Sequence, residues 1–156
     1  MQLSSVVPAA KPGATSEALR YAGDLTPVEA WRILSEQVEA VLVDVRTDAE
    51  WRYVGEPDLR AANKVALQIS WQCFPDMHQS LDFVDTVRAH GIREHQPLLL
   101  LCRSGVRSRQ AAHALTAAGF SCCFNIEEGF EGDKDGRAHR SSVNGWKVRG
   151  LPWRQG

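Results

Sequence analysis

Apolar and polar positions change period several times along the chain, and the changes mark alternating helices and strands. Thr26-Pro27-Val28-Glu29 sets a hydroxyl cap, a proline in the first turn and a glutamate three residues on, the pattern that opens a helix. Ala30, Ile33 and Leu34 then recur at helical spacing, carrying the helix to Ser35 or Glu36. The β-branched run Ala40 to Val45 reads as a buried strand, and Thr47-Asp48-Ala49-Glu50 as a second capping box opening a short helix. Lys64 to Ser70 reads as a strand with Val65, Leu67 and Ile69 on one face. A helix is expected from Gln79 to His90, ended by Gly91. Pro97 to Leu101, the most apolar run, predicts a central strand. Arg107 to Ala118 predicts an alanine-rich helix closed by Gly119, and Cys122 to Asn125 the last strand. Glu127 to Gly145 reads as a long loop rich in Gly, Ser and charge, leading to a short helix around Val143 to Val148.

Four strands interleaved with helices imply a parallel sheet covered on both faces. The segment before Tyr21 shows no such periodicity. Its Ser, Pro, Ala and Gly content predicts a flexible arm over residues 1–20, with one folded domain over residues 21–156.

Composition adds little except exclusions. The 156 residues carry 18 basic and 19 acidic side chains, a net charge of −1, which gives no support for a nucleic-acid partner. No apolar run reaches the length of a membrane span, and the first residues lack the basic and apolar regions of a secretory signal. Cys73, Cys102, Cys122 and Cys123 lack metal-ligand spacing, and the adjacent pair is poorly placed to bridge. The sequence therefore predicts reduced thiols in a cytoplasm and no metal or organic cofactor.

The candidate chemistry lies in Cys102-Arg103-Ser104-Gly105-Val106-Arg107-Ser108. A cysteine directly after a buried strand, with a helix a few residues on, stands where open α/β sheets place their sites. The turn from Arg103 to Arg107 can curl its backbone N–H groups around the sulfur, with Gly105 allowing angles closed to other residues. The helix N-terminus and two arginines add positive charge, and all of these favour the thiolate. The same donors suit a compact dianion such as thiosulfate. Ser104 and Ser108 read as helix caps, Ser108 above all, while Asp44, Arg46 and Glu50 read as holding the strand end to the neighbouring loop. Arg107 fits loop anchoring and donor binding equally well.

These motifs resemble the rhodanese family. Leu42-Val43-Asp44-Val45-Arg46 with Glu50-Trp51 is similar to the family's early motif, and Cys102 to Ser108 to its active loop. Asn125 to Phe130, then Gly145-Trp146 and Gly150-Leu151-Pro152-Trp153, resemble its C-terminal signature. The resemblance implies an α/β rhodanese-like fold with a five-stranded parallel sheet and helices on both faces. It also implies a sulfurtransferase of the thiosulfate:cyanide type, with Cys102 as nucleophile and sulfur carrier. Arg103, Ser104, Gly105, Val106 and Arg107 would bind the substrate. The partners implied are a small-molecule sulfur donor and acceptor, or a thiol protein such as a desulfurase or a thioredoxin-like protein. The region from Gly55 to Ala62 departs from the family pattern, and Gly132 to Asn144 reads as an insertion. Two rivals share the anion cup or the fold. A cysteine phosphatase or arsenate reductase has five residues between cysteine and arginine, where four separate Cys102 from Arg107. The other rival is a non-catalytic binding or redox-sensing module.

Overall fold

The computed structural model describes residues 20–156, so the arm expected over residues 1–20 lies, apart from Arg20, outside the described residues. Its elements are strand β1 (Gly23–Leu25), helix α1 (Pro27–Glu36), strand β2 (Val41–Asp44), helix α2 (Asp48–Tyr53), strand β3 (Glu56–Pro57) and a 3₁₀ turn (Arg60–Ala62). Strands β4 (Leu67–Gln68), β5 (Gln72–Cys73) and β6 (His78–Gln79) and helix α3 (Phe83–Ala89) follow. Strand β7 (Leu98–Leu101), helix α4 (Val106–Ala117) and strands β8 (Cys123–Ile126) and β9 (Trp153–Arg154) complete the chain. The main sheet has five parallel strands in the order β1-β8-β7-β2-β4, and two small antiparallel pairs, β3 with β9 and β5 with β6, lie outside it.

Both capping boxes form. The Thr26 and Thr47 hydroxyls accept from the backbone N–H of Glu29 and Glu50, whose carboxylates accept in return from the two cap N–H groups. Each box satisfies donors that helix geometry leaves without partners. The four leucines of β7 are all fully buried because the strand lies mid-sheet and both its faces are covered. Leu98 and Leu100 join Val43, Phe83, Val87, Ala111 and Leu115 on the face carrying α3 and α4. Leu99 and Leu101 point the other way, to Ile33, Leu34, Phe130 and Trp146 on the face carrying α1. Side-chain alternation along one strand thus builds two cores.

Several expected boundaries are corrected. The edge strand β1 completes the sheet by pairing with β8, through Asp24 opposite Asn125, in a stretch too short to carry a periodic signal. Only Leu67 and Gln68 of the run from Lys64 to Ser70 pair as a strand, and Val65 is 78% exposed instead of sharing a buried face. Helix α3 starts at Phe83, since Gln79 pairs with Gln72 and the Ser80 N–H donates to the Trp71 carbonyl. No helix forms around Val143 to Val148. The N–H groups of Trp146 and Lys147 donate to the carbonyls of Gly129 and Phe130, which ties this segment across to the post-β8 loop. The stretch Gly132 to Asn144 folds on itself, its ends joined by the Asp133 N–H donating to Asn144 Oδ1 at 2.8 Å.

Candidate active site

The site forms where β2, β7 and β8 end, on the carboxyl edge of the sheet. Cys102 follows β7 directly, and its Sγ accepts a hydrogen bond from the Gly105 N–H at 3.1 Å. Gly105 is the N-cap of α4 with φ +108, a left-handed backbone that a residue with a Cβ adopts at a cost. Its N–H is thereby turned back onto the sulfur, and α4 begins immediately behind it.

The floor of the loop comes from the chain after β8. Phe130 N–H donates to the Cys102 carbonyl at 2.8 Å, and Glu131 N–H to the Arg103 carbonyl at 2.9 Å. This closeness requires glycine at 129: a Cβ there would stand 2.5 Å from the Arg103 carbonyl oxygen and 2.6 Å from that of Cys102. Backbone on both sides leaves nothing to swing away.

Arg107 turns toward α2, where its two terminal nitrogens donate to Glu50 Oε1 at 2.8 Å and Oε2 at 2.9 Å. Burial alone would raise the Glu50 carboxyl, but the Arg107 guanidinium and Thr47 outweigh it and hold the carboxyl below its ordinary range. Burial likewise opposes the charge on Arg107, and the Glu50 carboxylate overcomes it, raising the guanidinium above its ordinary value. Beneath them, Arg46 Nε and Nη2 donate to Asp44 Oδ1 and Oδ2 at 2.9 and 2.7 Å, and Nη2 also donates to the Gly55 carbonyl at 2.9 Å. Its guanidinium carbon lies 4.3 Å from the Phe130 ring centre. Asp44, Arg46 and Glu50 therefore brace the strand end against the loops, the role their sequence pattern suggests.

A cavity of about 820 Å³ opens over the cysteine. Cys102, Arg103, Ser104, Val106 and Arg107 line it from the loop, Glu50, Tyr53 and Val54 from α2 and its end, and Phe74 and Met77 from the β5–β6 hairpin. The sequence points to the loop residues, and the structure brings all of them to one place, with Gly105 contributing its backbone. Nothing in the spacing of Tyr53, Phe74 or Met77 marks them as site residues. The cap expectations are corrected: Gly105 caps α4 with no side-chain hydrogen bond, so Ser104 does not cap it, and neither does Ser108. Its hydroxyl lies 3.1 Å from Cys102 Sγ and donates to Asn125 Oδ1 at 2.5 Å, because Gly105 already serves as cap and Ser108 falls a turn later, facing the sheet.

The other thiols differ in setting. All four cysteines are free, and burial raises the thiols of Cys122 and Cys123, the latter to about 12. Among the described residues no cluster of His, Cys, Asp and Glu could hold a metal ion, and no helix is long and apolar enough to cross a membrane.

Parallel sheet, buried cysteine loop and Asp44–Arg46 brace together define a rhodanese-like domain. The chain belongs to the rhodanese-like family whose model is described as the STR4 middle domain, which matches residues 23–156. A protein of Rickettsia conorii, itself uncharacterized, is 37% identical over 130 residues, spanning 83% of this chain and 95% of that one. The crystal structure of Rv0390 from M. tuberculosis superposes with a TM-score of 0.80 at 45% identity, covering 87% of this chain and 99% of that one. The thiosulfate sulfurtransferase GlpE of Haemophilus influenzae is 28% identical over 109 residues, 70% of this chain and 85% of GlpE.

Proposed function

We infer that the protein is a sulfurtransferase that carries sulfane sulfur on Cys102. The observation that carries this reading is the sulfur itself, set at the base of an open cavity and facing the Gly105 N–H at the head of α4. Such a setting stabilises negative charge on sulfur, whether on a thiolate or on a persulfide. The Cys102 thiolate attacks the outer sulfur of thiosulfate. The sulfur–sulfur bond of the donor breaks, its electron pair leaves with sulfite, and a Cys102 persulfide anion remains. An acceptor thiolate or cyanide then attacks the terminal sulfur and releases the Cys102 thiolate. No proton need be moved in either half, so no general base is required beside the cysteine.

Arg103 is the cationic group that binds the sulfonate end of the donor. Ser104, Gly105, Val106 and Arg107 form the cup, in which the Arg107 charge is shared with Glu50. The acceptor is a small thiophile or a thiol protein, and the setting this chemistry asks for is a reducing compartment such as the cytoplasm. The four-residue spacing between Cys102 and Arg107 favours a sulfur atom over a phosphoryl group in the cup.

The test is thiocyanate formation from thiosulfate and cyanide by the wild-type protein and by Cys102→Ser. Turnover that depends on Cys102 supports the reading, and turnover equal in the two proteins overturns it.

A further inference from the structure

A buried serine hydroxyl has one proton, and Ser108 has two claimants for it. One is Cys102 Sγ at 3.1 Å and the other is Asn125 Oδ1 at 2.5 Å. Asn125 is fully buried, and its orientation is fixed from behind: Nδ2 donates to Asp24 Oδ1 at 3.0 Å, so the carbonyl end of the amide must face Ser108. Asp24 Oδ1 also accepts from the Tyr21 hydroxyl at 2.8 Å. A continuous chain thus runs from Tyr21, just before β1, and Asp24 within it, through Asn125 of β8 to Ser108 of α4 and the sulfur.

This order has a consequence for the nucleophile. While Ser108 donates to Asn125, its oxygen can only accept from the cysteine, a geometry that favours the protonated thiol. A thiolate calls for the opposite arrangement, with the Ser108 proton turned onto sulfur. Asn125 Oδ1 and Ser108 Oγ would then face each other as two acceptors with no hydrogen between them. Once the sulfur is a persulfide, Cys102 Sγ carries no proton and little charge, and Ser108 can return to Asn125.

The geometry points to Asn125 and Asp24 as positioning residues that set the ionisation of Cys102 through the single proton of Ser108. This inference rests on the proposed role of Cys102 as nucleophile and concerns how strongly the loop favours its thiolate. Other charged groups stand around the site: Arg103 from the loop, Arg107 from α4 and Glu50 from α2 line the same cavity, Arg107 interacts with Cys102 and with Asp44 at the end of β2, and the backbone of Glu127 and Glu128 lies beside Gly105. Arg109 stands against the Tyr21 hydroxyl at the far end of the chain. None of these is altered by the substitutions that test the proposal.

The experiment measures the rate of Cys102 alkylation by iodoacetamide against pH, followed by peptide mass spectrometry so that only this thiol is read. Asn125→Ala removes the competing acceptor. Asp24→Ala leaves the amide free to turn its nitrogen to Ser108, and it tests the same idea at a position outside the core should Asn125→Ala fail to fold. Each releases the Ser108 proton to the thiolate. The alkylation profile moves to lower pH, and alkylation below the midpoint is roughly three- to tenfold faster than in wild type. Ser108→Ala moves the profile the other way, and adding either substitution to Ser108→Ala produces no further change. A shift that persists without the Ser108 hydroxyl, or no shift in either single variant, overturns the proposal. Sulfur loading from thiosulfate, measured separately on the same proteins, reports on the proposed function: wild-type protein that is alkylated at Cys102 but takes up no sulfur contradicts that function and leaves the proton chain standing.

Discussion

Replacing Glu50 with glutamine keeps the size of the side chain and one carbonyl oxygen but removes the charge that Arg107 faces. In the native protein the Arg107 and Glu50 side chains are 12% and 17% exposed, and two near-parallel hydrogen bonds of 2.8 and 2.9 Å join them. Solvent therefore screens the pair only weakly. Removing one partner of a buried ion pair costs about 3–5 kcal/mol, and a hydrogen bond to a charged group contributes about 1.5–3 kcal/mol. Glutamine retains the capping-box acceptor for the Thr47 N–H and one acceptor for Arg107, so the expected loss is about 2–4 kcal/mol at neutral pH. That corresponds to a fall in Tm of about 5–12 °C for a domain of this size.

The pH dependence supplies the sharper test. The Glu50 carboxyl is held below its ordinary value in the folded protein, against the opposing effect of burial, by Arg107 and Thr47. Its contribution is thus complete above the unfolded value of about 4.3 and fades as pH falls through the lower folded one. Urea unfolding of wild type and Glu50→Gln at a series of pH values reads this directly, since the carboxylates that do not share Arg107 are common to both proteins. The stability gap is widest at neutral pH and narrows below about pH 4. A gap of the same size at pH 7 and at the acid end would mean that the Glu50 charge contributes nothing and that only packing is lost.

Other perturbations separate backbone from side-chain effects. Gly129→Ala sets a Cβ against the Arg103 and Cys102 carbonyls, so it destabilises by at least about 3 kcal/mol and lowers sulfur transfer by the surviving folded protein; denaturant unfolding with a parallel activity assay checks both. Trp146 is fully buried and its indole N–H donates to the Pro152 carbonyl at 2.7 Å. Trp146→Ala therefore costs about 3–5 kcal/mol in denaturant unfolding, and Trp146→Phe costs less because most of the volume is kept.

The elements readable from the chain are those whose reasons are local. Two capping boxes and the leucine run announce α1, α2 and β7, and the cysteine between an apolar strand and a glycine loop announces the site. The resemblance to rhodaneses supplied the fifth strand, which three residues, Gly23 to Leu25, could not declare on their own. What stayed hidden depends on contacts distant in sequence. Arg107 meets Glu50 from 57 positions away, and Asn125 meets Asp24 from 101. Ser108 reads as a cap by its position near a helix start, and only the packing of α4 on β8 turns it toward the sulfur. The apolar rim of Tyr53, Phe74 and Met77 likewise comes from two separate elements, a helix end and a hairpin, that meet only in the folded chain.

Sulfur carriage on Cys102 is read by intact-protein mass spectrometry after treatment with thiosulfate, followed by cyanide. The wild-type protein gains one sulfur atom, Cys102→Ser gains none, and cyanide removes that atom as thiocyanate. No gain on wild type, or an equal gain on both proteins, would contradict sulfur transfer from thiosulfate through Cys102.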